Sequence, residues 1–189
     1  MELVFATHNP DKFKEVKLLL PKHIHLLSLD EIGCTEELPE TAPTIAENAI
    51  LKANYVKEKY GHSCFADDTG LETEALNGAP GVHAARYAGE HKDPEENIQK
   101  LLKELSHTDN RNARFKTVIA LITPTEKLLF EGIVNGTITK EKRGDKGFGY
   151  DPVFQPEGYE ETFAELPLSV KNKISHRAKA IRELIDYLK

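Results

Sequence analysis

Apolar residues in this chain fall into short continuous runs that alternate with stretches at helical spacing, the rhythm of strands interleaved with helices. ELVFA at 2–6 is such a run, and THNP after it offers Asn9 as a helix cap and Pro10 as a first-turn residue, so strand, turn and helix are predicted. Phe13, Val16, Leu19 and Leu20 keep helical spacing up to Pro21, and HIHLLSL at 23–29 predicts a second strand. A turn-rich acidic stretch from Glu36 to Pro43 leads into a helix carrying Ile45, Ala49, Ala53 and Val56 on one face and ending near Gly61. HSCFA at 62–66 predicts a buried strand that delivers Asp67 and Asp68 to its carboxyl end, where open α/β sheets place their ligands.

Beyond this strand, NGAPG at 77–81 is turn chemistry, and Ile98, Leu101, Leu102 and Leu105 mark a further helix. ARFKTVIALIT and KLLFEGIVNGTIT predict a long antiparallel pair of central strands joined near Pro124. GDKGFGYDP at 144–152 reads as a loop. Ile174, Ala178, Ile181, Ile185 and Leu188 predict a last helix with one buried stripe. No internal repeat or linker divides the chain, so residues 1–189 are expected to form a single domain.

Composition narrows the function. Hydrophobic residues at 39% and charged residues at 30% describe an ordinary globular chain, and a formal charge of −6 argues against nonspecific binding to nucleic acid or an anionic membrane. An anionic ligand would need local cations. Cys34 and Cys64 lack zinc-type spacing and predict free thiols, while the N-terminal MELVFATHNP fits neither a signal peptide nor a membrane span, so a cytoplasmic location is expected.

Four segments could carry chemistry. In THNPDK, the amides of a helix N-terminus, the Asn9 side chain and Lys12 suit a phosphate, although a capped helix with an exposed lysine has the same sequence. No Walker A pattern occurs. In GDKGFGYD, Phe148 and Tyr150 lie among glycines, poorly placed for a core and well placed to stack on a flat base, and Asp151 can accept from a ring N–H. In KNKISHRAKA, Lys171, His176 and Arg177 offer donors to carbonyl oxygens, with Ser175 as a possible cap; a solvated basic face is the plainer alternative. The adjacent pair Asp67–Asp68 suits a hard metal ion or a general base, and spacing alone does not choose between the two carboxylates.

Taken together, THNPDK, FADDTGLETEALNGAPGVHAARYAG, GFGYDPVFQPEGY with TFAEL, and KNKISHRAKA closely resemble the inosine triphosphate pyrophosphatase family, in order and in spacing, from residue 3 to the last helix. The resemblance implies a mixed α/β fold with a long twisted sheet flanked by helices, two lobes and a central substrate cleft. It also implies a homodimer and magnesium-dependent hydrolysis of ITP, dITP or XTP to the monophosphate and pyrophosphate. By the same likeness, residues of the Thr7, His8, Asn9, Pro10, Asp11, Lys12 turn bind the triphosphate with Lys52 and Thr69. Asp68 is the base and a metal ligand, and Glu40 in LPET is the second metal ligand. Phe148, Gly149, Tyr150, Asp151, Lys171, His176 and Arg177 form the base pocket.

The physical logic agrees. A triphosphate repels an attacking hydroxide until cations neutralise its oxygens, and donors in a base pocket accept a 6-oxo group while a 6-amino group would leave them unpaired. Two rivals share these features: a house-cleaning pyrophosphatase for modified pyrimidine or methylated nucleotides, and a non-catalytic nucleotide-binding module. Departures from the family pattern are small: Thr69 where serine is also common, Tyr150 where some relatives have tryptophan, and HAARYAG in place of YSARYAG.

Overall fold

A computed structural model describes all of residues 1–189. The first strand, β1 (Glu2–Phe5), runs into α1 (Pro10–Leu19), whose N-cap is Asn9. Only the middle of the second apolar run is strand, β2 (His25–Leu27), because Leu29 begins a tight turn over Asp30–Ile32 that closes on Gly33. Helix α2 (Ile45–Tyr60) opens on the N-cap Thr44, whose Oγ1 accepts from Glu47 N at 3.1 Å and donates to Glu47 Oε2 at 2.8 Å. It stops at Gly61, whose φ of +77° is the left-handed conformation that favours glycine.

Strand β3 (Cys64–Thr73) departs from the sequence reading. It does not end before the acidic pair but passes through it, so Asp67 and Asp68 sit mid-strand. Aspartate is disfavoured in strands, and these two are retained because cations from distant segments meet them there. The remaining elements are β4 (Pro80–Gly81), α3 (Pro94–Glu104), β5 (Asn112–Ile122), β6 (Lys127–Ile138), β7 (Phe154–Pro156), α4 (Leu168–Ile174) and α5 (His176–Leu188). The expected last helix is thus two helices, broken at Ser175, whose backbone is extended (φ −67°, ψ 158°).

The strands form one mixed sheet in the order β2-β1-β3-β5-β6-β7, with β4 paired to β3. The fold is α/β, and β5 and β6 are internal strands as expected, their hairpin closed by Thr123 N donating to Glu126 O at 3.0 Å. The chain gathers into two compact units. The first comprises Met1–Asp68, Thr117–Gly132 and Arg177–Lys189, the second Thr69–Lys116 and Ile133–His176.

In the first unit β1 runs parallel to β2, with Leu3 opposite Leu26, and parallel to β3, with Phe5 opposite Phe65. Its core joins Leu3, Phe5, Val16, Phe65, Ile119 and Leu121 to Ala180, Ile181 and Leu184 of α5. The rings of Phe5 and Phe65 stack with centroids 4.7 Å apart. Ile185 and Leu188 pack against this core only partly buried, and Ile174, expected in the same stripe, packs instead in the second unit. There β4 is antiparallel to β3, β7 is antiparallel to β6, and the core gathers Leu101, Leu105, Phe115, Phe154 and Phe163. Cys34 and Cys64 are buried free thiols, and no helix is long and apolar enough to cross a membrane.

Candidate active site

The THNPDK turn is first of all a helix start. Asn9 Oδ1 accepts from Asp11 N at 2.9 Å and Lys12 N at 3.1 Å, and Asn9 N donates to Thr7 Oγ1 at 3.1 Å. Two of the amides expected to face an anion are therefore already capped. Pro10 and Asp11 are exposed, and exposed His8 donates from Nε2 to the Glu36 carbonyl at 2.8 Å. Lys12 is no exposed lysine; its Nζ lies 3.1 Å from Asp67 Oδ1. Burial lowers the proton affinity of Lys12 below the ordinary value, with Asp67 opposing.

Alternation along β3 sends Asp67 and Asp68 to opposite faces, and their surroundings differ accordingly. Asp67, 1% exposed, accepts from Lys12 and from Arg177 Nε at 3.1 Å. Burial alone would favour its neutral form, but Lys12 and Arg177 outweigh burial and hold its carboxyl below the usual range. Arg177, also buried, gives Nη1 to Glu15 Oε2 at 2.6 Å, so one guanidinium ties two buried carboxylates.

Asp68 is 9% exposed and meets Lys52 Nζ through Oδ1 at 3.3 Å. Burial raises its pKa, Glu40 and Asp67 add to the shift, and Lys52 and Lys12 oppose it without cancelling it. Lys52 is itself buried, yet Asp68 and Glu40 more than offset that burial and raise its pKa. Its Nζ lies 3.0 Å from Glu40 Oε1. Two carboxylate oxygens thus bracket one cationic point, a donor set that fits a hard divalent ion. No group of three or more His, Cys, Asp or Glu side chains is arranged to hold a metal unaided. Such an ion would complete its sphere with water and phosphate oxygens, as magnesium does.

The second unit holds the glycine-rich loop and most of the basic segment. Asp151 Oδ2 accepts from Lys171 Nζ at 2.7 Å and from Phe148 N at 3.0 Å, which fixes the loop to α4. Lys171 Nζ also lies 4.9 Å from the centroid of the half-buried Phe148 ring. Tyr150 corrects the sequence reading. It is 6% exposed within the core, its hydroxyl donating to Ala84 O at 2.6 Å, so it anchors the loop rather than presenting a stacking face. His176 stacks on Phe115 with centroids 4.5 Å apart. Lys171, His176 and Arg177 are all buried, which rules out a solvated basic face; Gly149 (φ +59°) and Thr69 are half-buried.

Gly147 has φ +70°, and a Cβ there would stand 2.1 Å from Asp151 Oδ2. Gly147→Ala is expected to cost about 1–3 kcal/mol through backbone strain and displacement of that carboxylate. Urea denaturation measures the loss, and an unchanged midpoint would show that the loop does not depend on this contact.

Sequence reasoning passed over Glu15, Glu36 and Asn48. Acidic and amide side chains on helices and turns are ordinarily solvated, and only the long-range pairing, as of Glu15 with Arg177 162 residues away, marks these as buried or engaged. The cavity lined by Glu72, Glu74, Asn112 and Arg114 in the second unit holds none of the expected site residues; Arg114 donates to Glu72 and Asn112 to Glu74.

Comparison with known proteins is consistent with this arrangement. A model described as the Ham1 family matches residues 3–187. The chain is 60% identical over 188 residues to a dITP/XTP pyrophosphatase of Christiangramia forsetii, covering 100% of this chain and 99% of the relative. It is 59% identical over 189 residues to the dITP/XTP pyrophosphatase of Flavobacterium psychrophilum, covering 100% of both. The Ham1 protein of Staphylococcus aureus superposes with a TM-score of 0.90 at 41% identity, over 100% of this chain and 98% of that one.

Proposed function

The chain belongs to the Ham1 family, and on that premise we propose that it hydrolyses the non-standard purine nucleotides dITP, XTP and ITP to the monophosphate and pyrophosphate. The observation that carries the mechanism is the unequal treatment of two adjacent carboxylates: Asp67 is committed to Lys12 and Arg177, whereas Asp68 stands beside Lys52 and Glu40 with its proton affinity raised. Asp68 takes the proton of a water that attacks the α-phosphorus, the bond to the β-phosphate oxygen breaks, and pyrophosphate leaves. Lys12 and Lys52 bring fixed positive charge to the triphosphate, aided by Thr69 and the Thr7–Asp11 turn.

Glu40 and Asp68 are the residues that would hold magnesium, which when bound neutralises phosphate oxygens. At the base, Phe148 supplies a ring face, with Gly149 leaving space beside it and Tyr150, Asp151 and His176 keeping the surroundings in place. Lys171, whose Nζ lies 4.9 Å from the centroid of the Phe148 ring, is the donor we assign to the 6-oxo group. We assign Arg177 to the acidic cluster of the first unit, where Nε and Nη1 are already committed. A homodimer, a single domain over 1–189 and a cytoplasmic location complete the proposal on the family resemblance.

The test is pyrophosphate release from ITP, XTP and dITP, beside ATP and modified pyrimidine triphosphates, with magnesium and with a chelator. The 6-oxo purines should exceed ATP in kcat/KM by at least about a hundredfold, with activity lost on chelation. Faster turnover of the pyrimidines would overturn the substrate assignment, and no release from any nucleotide would leave a binding module.

A further inference from the structure

Glu40 belongs to a segment that is neither helix nor strand, yet its carboxylate is held against Lys52 on α2. A metal ligand must be placed to within about half an ångström, which an unsupported loop does not achieve. Either side of Glu40, the segment is fastened to α2. On the far side, Asn48 Oδ1 accepts from Ala42 N at 2.8 Å and Asn48 Nδ2 donates to Ala42 O at 3.3 Å, so one amide side chain satisfies both backbone groups of a residue. Asn48 is 3% exposed.

On the near side, the Glu36 carboxylate accepts from Tyr55 Oη at 2.7 Å, from Tyr60 Oη at 2.8 Å and from Lys59 Nζ. The Glu36 carbonyl meanwhile accepts from His8 Nε2, which ties the Thr7–Lys12 turn to the same segment. Asn48, Lys52, Tyr55 and Lys59 follow one another at i, i+4, i+7 and i+11, a single stripe of the helix. Pro39 fixes φ one residue before Glu40 and stiffens the span between the fastenings.

We propose that Asn48 and Glu36 are positioning residues that suspend residues 36–42 from one face of α2 and thereby set Glu40 opposite Asp68 around Lys52. The inference rests on the reading of Glu40 as a metal ligand. Its test uses the full-length chain in three forms: Asn48→Leu, which keeps the branching of the side chain and removes both bonds; the double variant Tyr55→Phe/Tyr60→Phe, which keeps the rings and removes two donors; and Glu40→Gln. Two readouts are taken without nucleotide: amide hydrogen exchange over 36–43, and binding of manganese ion by electron paramagnetic resonance. In turnover, the magnesium needed for half-maximal rate is compared with KM for ITP.

Asn48→Leu and the double variant should each speed exchange in this segment by about tenfold or more and leave the rest of the chain's protection in place. Both should weaken manganese binding by about 10- to 100-fold, the range seen when the residues orienting a metal ligand are lost, with the magnesium requirement rising more than KM. Glu40→Gln should weaken manganese binding without speeding exchange. Unchanged exchange in the tyrosine variant and in Asn48→Leu overturns the suspension. Faster exchange with undiminished manganese affinity, while Glu40→Gln loses it, overturns the link from the fastenings to Glu40. Undiminished affinity in Glu40→Gln overturns the metal reading beneath both.

Discussion

Asp68→Asn is expected to lower kcat for ITP by about a thousandfold while the protein stays folded. Asparagine matches aspartate in shape, so the packing of β3 survives, but an amide does not take a proton from water, and a positioned general base is worth about 10²–10⁴ in rate. The neighbouring change separates the roles. In Asp67→Asn the proton acceptor at 68 remains, whereas Lys12 and Arg177 lose a buried counter-charge, so the main damage there falls on stability. Pyrophosphate release and thermal melting, measured on both variants, distinguish the two. A kcat for Asp68→Asn equal to that of the parent would remove Asp68 from the mechanism.

Arg177→Met is expected to destabilise the protein by about 3–5 kcal/mol, the cost of leaving a buried charge without its partner. Arg177 is 2% exposed and its guanidinium serves Asp67 and Glu15 at once, at 3.1 and 2.6 Å. Asp67 keeps Lys12 after the change, so the larger burden falls on Glu15, itself buried. Lysine at 177 should not restore stability, because a single ammonium lacks the planar fork that reaches two carboxylates. Pairing Arg177→Met with Glu15→Gln should recover part of the loss in a double-mutant cycle. Such a loss is a large share of the roughly 5–15 kcal/mol that holds a folded domain, so urea denaturation reads it directly. An unchanged midpoint would mean that the pairs contribute nothing net. The pH dependence follows in sign: Asp67 has its pKa depressed in the fold, so its contribution is present above the ordinary carboxylate pKa and is lost as pH falls from there through the depressed value.

What could be read from the sequence was what depends on near neighbours. Asn9 before Pro10, Gly61 at the end of its helix and the turn residues 77–81 act within a few positions, and the structure has them in those roles. The strand through Asp67 and Asp68 was hidden because its justification lies 55 residues upstream in Lys12 and 110 downstream in Arg177. Tyr150 misled for a similar reason: the glycines just before it suggested exposure, but the Ala84 carbonyl that receives its hydroxyl is 66 residues away. The break at Ser175 was invisible to periodicity, since α4 and α5 continue the same apolar rhythm on either side of it. The candidate residues were legible as types; which of two equal carboxylates is neutralised was not, because that is decided by tertiary neighbours.

The alternation of β3 has one further consequence. Asp67 and Asp68 are the same chemical group, so their separate duties are assigned by location alone, through the alignment that sets Phe65 beside Phe5. Deleting or inserting one residue between Phe65 and Asp67 would leave the composition of the strand nearly untouched, yet it would put one aspartate at the other's address and move its neighbour off both. Neither aspartate can therefore serve as a spare for the other.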